Sequence, residues 1–380
     1  MHLKSKLPDI GTTIFTVMSK LASEHKAINL SQGFPDYECS PQLVELVNHY
    51  MKSGYNQYAP MAGIYSLRER IAEKQEKLHQ AKYNPETEIT ITSGGTQAIF
   101  TSIACVIQPG DEAIIFEPAY DSYTPSVILF GGIVRSIELS APDYIINWQE
   151  VRQMVNEKTR MIIINTPNNP TAKTLTEEDM AELISITRDT NILIISDEVY
   201  EHLVYDGRKH LSISQYPELM ERSFITASFG KLLHTTGWKV GYCLAPEWLM
   251  KEFRKVHQFE VFSVNSAVQY AISAHLLDER NYLEISDFFQ NKKDFFYNLM
   301  KETRFDLLPC YGSYFQSVQY SRISDEGDTD LAKRIIREFG VASIPFSAFY
   351  RKGTDHRVLR FCFAKKHETL EKAVIKLAKI

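Results

Sequence analysis

Short, largely apolar and β-branched runs recur along the first two thirds of the chain: ITIT (89–92), EAIIF (112–116), MIIIN (161–165) and ILIIS (192–196). SFITAS and KVGYCLA add two further strand candidates. A strand apolar on both faces must be buried on both, as in a parallel sheet covered by helices, whereas half-exposed strands alternate. Helix-like stretches separate the runs, among them AIFTSIACVI and TLTEEDMAELISITRD, the second opened by Thr176 and Asp179 in a capping-box arrangement. The pattern predicts a doubly wound α/β domain with a mostly parallel sheet sandwiched by helices.

After about residue 265 the texture changes to polar-aromatic helices (ISDFFQNKKDFFYNLMKE), a GSYFQSVQY strand, VASIP, VLRFCFA and the amphipathic HETLEKAVIKLAKI, which read as a smaller α+β domain. The expected division is an N-terminal arm (1–40) completing the smaller domain, a large domain (41–265) and the small C-terminal domain (266–380). At 380 residues and 44% hydrophobic content, the chain is long enough for two cores.

Charge narrows the partners. With 42 basic and 47 acidic residues the net charge is -5, and no concentrated basic stretch offers a surface to nucleic acid or an anionic membrane. A small-molecule partner is therefore expected. The five cysteines (Cys39, Cys105, Cys243, Cys310, Cys362) are scattered and lack metal-ligand spacing, so neither a disulfide framework nor a metal site is expected. MHLKSKLPDIGTTIF has no apolar core of a signal peptide, and a cytoplasmic location is the expectation.

In open α/β sheets, ligands bind beyond the carboxyl ends of the strands, and the unusual residues sit there: SGGT, EPAY, NTPNNPT, SDEVY and SFGK each follow an apolar run. Singly, each has an ordinary explanation. SGGTQ is either a plain turn or a helix start open to a phosphate, and it is neither GxGxxG nor a P-loop. Asp197 can serve as a helix N-cap, Asn169 as turn chemistry, Tyr120 and Tyr200 as core, and Lys231 and Arg360 as surface cations. Jointly they match one chemistry. A pyridoxal 5′-phosphate enzyme needs an amine, a carboxylate for the ring nitrogen and donors for the phenolic oxygen. It also needs an anion nest with a cation, a flat stacking group, and an arginine for the substrate carboxylate.

NNPTAK, SDEVYEHLVY, SFGKLLHTTGWKVG and VLRFCFAKKHETL, in this order, resemble the class I aminotransferases of the fold-type-I superfamily. The spacings fit too: 28 residues from Asn169 to Asp197, 3 on to Tyr200, 34 from Asp197 to Lys231 and 8 on to Lys239. INLSQGFPD, NQYAPMAG, EPAYDSY, TGWKVG and RFCFAKK are similar to the methionine and kynurenine aminotransferase subgroup. The resemblance implies that Lys231 carries the cofactor as a Schiff base and then acts as general base. Asp197 would pair with the pyridine nitrogen, Tyr200 and Asn169 would bind the phenolic oxygen, and Tyr120 would stack on the ring. Gly95, Thr96, Ser228 and Lys239 would hold the phosphate, with Asn165 a further cofactor contact.

By the same resemblance, Arg360 would grip the substrate α-carboxylate beside Asn169 and Gly33, and Tyr58 would reach the partner's phosphate across a homodimer interface. Phe15, Phe34, Tyr58 and Phe262 are candidate substrate walls. Two departures stand out. Ala172 replaces a common glycine, which disfavours positive φ there, and Lys239 replaces a common arginine, keeping charge but losing the planar fork. The activity implied is transamination of an apolar or aromatic amino acid, methionine foremost, with a 2-oxo acid. The same chemistry also serves C–S β-lyases. The remaining alternative is a non-catalytic module of the kind fused to DNA-binding domains in bacterial regulators, which carry an extra helix-turn-helix segment not expected here.

Overall fold

The structure, a computed structural model, describes residues 3–380. Its centre is a seven-stranded sheet: β1 (Ile89–Thr92), β2 (Glu112–Glu117), β3 (Ile133–Glu138), β4 (Thr159–Asn165), β5 (Leu193–Asp197), β6 (Ser223–Ser228) and β7 (Gly241–Leu244). The spatial order is β1-β7-β6-β5-β4-β2-β3. Neighbours are parallel from β3 through β6, and only β7 runs antiparallel, against both β1 and β6. The largely apolar runs are thereby explained. Ile114, Ile162, Ile164, Ile194 and Ile225 belong to one buried cluster, while Ala113, Ile115, Met161, Ile163, Ile195 and Phe224 belong to another. Successive residues feed opposite faces, so positions on both faces are apolar or small, with Thr90, Ser196 and Thr226 buried among them, each large apolar side chain contributing about 1.5–3 kcal/mol.

Register brings the strand ends level. Asn165 pairs with Asp197, Asp197 with Thr226, and Ser228 with Gly241. The helix Gly94–Ala104 starts at the same edge, two residues beyond β1. The capping box forms as expected at the helix Glu177–Thr187, with Asp179 N donating to Thr176 Oγ1 (3.2 Å) and Thr176 N to Asp179 Oδ2 (2.9 Å).

The C-terminal third builds a four-stranded sheet from β8 (Asp306–Leu307), β9 (Phe315–Gln319), β10 (Ile344–Pro345) and β11 (Val358–Cys362), in the order β10-β11-β9-β8. The N-terminal segment reaches this end of the molecule, since Ile28–Asn29 pairs in parallel with Val341–Ala342. That pairing sets Gly33 and Phe34 over the ends of the large sheet, in the same cavity as Lys231. No helix among the described residues is long and apolar enough to cross a membrane.

Candidate active site

A cavity of about 380 Å³ opens at the carboxyl ends of β4, β5 and β6, within the size range of small-molecule sites. It collects Gly33, Gly95, Thr96, Tyr120, Asn165, Asn169, Asp197, Tyr200, Ser228, Lys231, Lys239 and Arg360. Phe15 and Phe34 also line it. Tyr58 and Phe262 do not: they meet edge-to-face at 5.4 Å in a separate surface region, with Tyr58 83% exposed. Within one chain, Phe262 is therefore not a wall of this cavity, and Tyr58 lies outside it.

Asp197 ends β5 with its carboxylate buried, accepting from the Tyr123 hydroxyl at Oδ2 and from Val199 N at Oδ1 (3.3 Å). It faces neutral donors and no hydrogen-bonded cation. Burial drives its carboxyl up to about 6 against those two donors. Asn165 braces the neighbourhood: its amide donates to the Asp197 carbonyl (2.8 Å), and its Oδ1 accepts from Asn169 N (2.8 Å).

Asn169 in turn accepts from Arg360 Nη1 (2.6 Å), and Arg360 Nη2 donates to the Ser31 carbonyl (2.9 Å). Arg360 is 1% exposed, lies 3.8 Å over the Phe315 ring, and has no partner at Nε among the described residues. Burial lowers its guanidinium to about 10. A buried, incompletely paired guanidinium is costly unless a carboxylate completes it.

Lys231 lies in the short helix Phe229–Leu232 that follows β6. Its Nζ donates to Tyr314 Oη (2.9 Å) and to the Gly33 carbonyl (3.2 Å). Burial, with Lys239 and Arg360 adding like charge, brings its amine down to about 8. Close packing at the strand ends leaves no room for side chains: a Cβ on Gly241 would stand 2.5 Å from the Ala227 carbonyl, and one on Gly95 2.9 Å from Val199. Gly94 takes φ +79, and Lys239 Nζ lies 3.2 Å from where its Cβ would be. Lys239 is thus aimed at the opening turn of the Gly94–Ala104 helix, where free N–H groups favour an anion. Tyr120 Oη meets Thr96 Oγ1 at 3.3 Å over the same turn.

Ala172 overturns one expectation. It adopts φ +60 despite its Cβ, at a cost of about 1–2 kcal/mol. The turn over-determines it: Ala172 N donates to the Asn168 carbonyl (2.9 Å), and its own carbonyl accepts from Tyr311 N and Gly312 N (2.9 Å each). Sequence reasoning also missed Tyr123 and Tyr314. The first stands in EPAYDSY three residues after the tyrosine that was singled out, and the second is a core-like residue of GSYFQ.

The family model for aminotransferase class I and II matches residues 25–377. A methionine aminotransferase of Escherichia coli is 44% identical over 99% of this chain and 98% of its own. A solved Escherichia coli structure, reported with a methionine aminotransferase function, superposes with TM-score 0.98 at 44% identity, covering 100% of both chains. Human kynurenine–oxoglutarate transaminase 1 is 31% identical over 95% of this chain and 94% of its own.

Proposed function

This chain belongs to the class I and II aminotransferases, and we propose that it moves the amino group of an apolar or aromatic L-amino acid, methionine foremost, to a 2-oxo acid. The observation that carries the reading is the single cavity in which a low-pKa amine, a buried carboxylate without a cation and an incompletely paired guanidinium converge. The likeness to the Escherichia coli methionine enzyme supports the choice of amino acid.

The residues present fit pyridoxal 5′-phosphate. When bound, that cofactor supplies a carbonyl for amino groups and a ring that takes up the electron pair left when the substrate Cα loses its proton. Lys231 would hold it covalently and, once released, carry the Cα proton on Nζ; an amine titrating near 8 is suited to that at neutral pH. Asp197 would pair with the ring nitrogen, an opposite charge that keeps its carboxylate ionised. Asn169 and Tyr200 would bind the phenolic oxygen, Tyr120 would stack, and Gly95, Thr96, Ser228 and Lys239 would cradle the phosphate, with Asn165 bracing Asn169. Arg360 would take the substrate carboxylate, its unpaired Nε completing the contact, beside Gly33.

We further read the chain as a cytoplasmic homodimer of arm, large domain and small domain. Tyr58 would complete the partner's phosphate site, its exposure beside the exposed Phe262 supporting an interface there.

The test is a set of single-turnover half-reactions of the cofactor-loaded protein with methionine, phenylalanine, tyrosine, tryptophan, kynurenine and cystathionine, following the absorption of the lysine-bound cofactor. Methionine is expected to react fastest, yielding its 2-oxo acid, and Lys231→Ala to lose activity by about 10³-fold or more. Turnover of none of them, or pyruvate with a free thiol as the main products, would overturn the reading.

A further inference from the structure

Tyr314 is buried at the junction of the two sheets, 1% exposed, just before β9. Its ring packs edge-on against Tyr200 (5.2 Å) and Phe315 (4.9 Å) and tilted against Phe289 (5.8 Å), which fixes where its hydroxyl points. That hydroxyl donates to the Gly33 carbonyl. Its own proton being committed there, Oη offers only lone pairs to the 2.9 Å contact from Lys231 Nζ. The Gly33 carbonyl accepts from Nζ as well, at 3.2 Å. Lys231 therefore meets two neutral acceptors that hold each other in place, and both are spent on an amine that donates.

We propose that Tyr314 is a positioning residue for Lys231: with the Gly33 carbonyl it forms a docking place for the free, proton-bearing amine between covalent engagements. The proposal rests on the reading of Lys231 as the proton carrier, and it assigns to Tyr314 a part in the reaction that no contact with substrate or cofactor would give it. A neutral amine donates two protons and an ammonium three, and acceptors stabilise the charged form more, because charge-assisted hydrogen bonds are about twice as strong as neutral ones. Tyr314 and Gly33 thus oppose the burial that disfavours the charge. The other groups facing Nζ divide: Lys239 and Arg360 repel its charge, Asp197 attracts it, and Cys362 and Tyr200 are neutral near pH 7, their ionisation opposed by burial. The arrangement also ties the amine to the N-terminal segment, because the docking carbonyl belongs to Gly33, whose backbone is wedged so closely that a Cβ there would stand 2.9 Å from Phe315.

Tyr314→Phe keeps the ring and removes the hydroxyl, that is, the acceptor for Nζ and the donor that holds the Gly33 carbonyl. In cofactor-free protein, the pH dependence of Lys231 acetylation by acetic anhydride, read by peptide mass spectrometry, gives the amine's titration. The midpoint is expected near 8 in the wild type, and lower in the variant by a factor of about 3–10 in acid dissociation constant, the size of the difference between a hydrogen bond from a charged donor and one from a neutral donor. An unchanged or higher midpoint in a variant whose thermal midpoint matches the wild type overturns the proposal. A second measurement needs no Tyr314 variant. In wild-type protein labelled with 13C-tyrosine, one ring resonance should titrate with the same midpoint as Lys231 and lose that titration in Lys231→Met, and its absence is equally fatal. Neither readout involves transamination, so a protein that transaminates nothing yet shows both shifts refutes the functional reading and leaves the docking intact.

Discussion

The segment Asp197–Glu201 faces two very different regions. Asp197 and Tyr200 point into the cavity, whereas Glu198 and Glu201, each one residue further along, enter a buried polar cluster with Lys74, His79, His202, His210 and Tyr242. In charge the cluster is closed upon itself, although both ring nitrogens of His79 and Nδ1 of His210 have no hydrogen-bond partner among the described residues. Glu201 Oε1 accepts from Lys74 and from Tyr242 Oη (2.8 Å), His79 approaches Oε2 at 3.6 Å, and Lys74 Nζ meets His202 Nε2 at 3.2 Å. Glu198 takes His210 Nε2 and the Ser196 hydroxyl, both at 2.8 Å, and Ile213 N at 3.1 Å.

The cavity, by contrast, is left open. Asp197 has only a hydroxyl and an amide, Lys231 only neutral oxygens, and Arg360 an orphaned Nε. The carboxyls record the difference. Burial raises both, yet at Glu201 the Lys74 ammonium, with the neighbouring histidines, outweighs it and holds the group well below its ordinary value, while at Asp197 burial wins. Desolvated charge paired within the chain is architecture, and desolvated charge left unpaired is a request for a ligand.

Breaking the closed region should cost the most stability. Lys74→Met strands Glu201 as an unpaired buried anion, and a loss of about 3–5 kcal/mol is expected from the urea midpoint. A loss under about 1 kcal/mol would show that the cluster is not the closed structure described. In the open region, Arg360→Lys keeps the charge but removes the fork. It should lower kcat/KM by about 100-fold, equivalent to roughly 2–3 kcal/mol, with a smaller loss of cofactor-free stability, since the orphaned Nε goes with the fork while the ammonium keeps one of the contacts to Asn169 and Ser31. Equal loss of stability and activity would place Arg360 with the structural charges.

The two regions also differ in their response to pH. In cofactor-free protein the Lys231 amine titrates near 8 against 10.5 ordinarily, so the unfolded chain holds that extra proton across the window and this group's contribution to stability rises with pH there. Its share of the slope is at most about 1.4 kcal/mol per pH unit, and the difference between wild type and Lys231→Met across the window should show it. Glu201 acts at the other end, its contribution being present above about 4.5 and lost as pH falls through its lowered value. The smallest effect belongs to Ala172→Gly, which relieves the left-handed backbone but loosens the unfolded chain. The urea midpoint should show a gain under about 1 kcal/mol, and a loss larger than that would mean the buried methyl is needed.

Much of this was legible in the sequence because it was written in local chemistry. MIIIN and ILIIS must be buried on both faces, which predicts the parallel sheet, and residues at strand ends must gather at one edge, which brought Asn169, Asp197 and Lys231 under suspicion together. Glu198 and Glu201 were not legible, since adjacent letters of SDEVYE look alike until the backbone turns them apart. Tyr314 was hidden for a related reason: an aromatic in an apolar strand reads as core, and only the packing of the small sheet against the large one reveals a hydroxyl beside Lys231. The positive φ of Ala172 ran against its own residue preference, because backbone hydrogen bonds from Tyr311 and Gly312, well over a hundred residues away, hold the turn.

The sequence by itself determined the elements, the layer order and which residue types meet at the strand ends, because periodicity and β-branching act within a few residues. Only the tertiary structure decided which of those charges find partners inside the chain and which are left for a ligand, because pairing depends on distances between segments far apart in sequence.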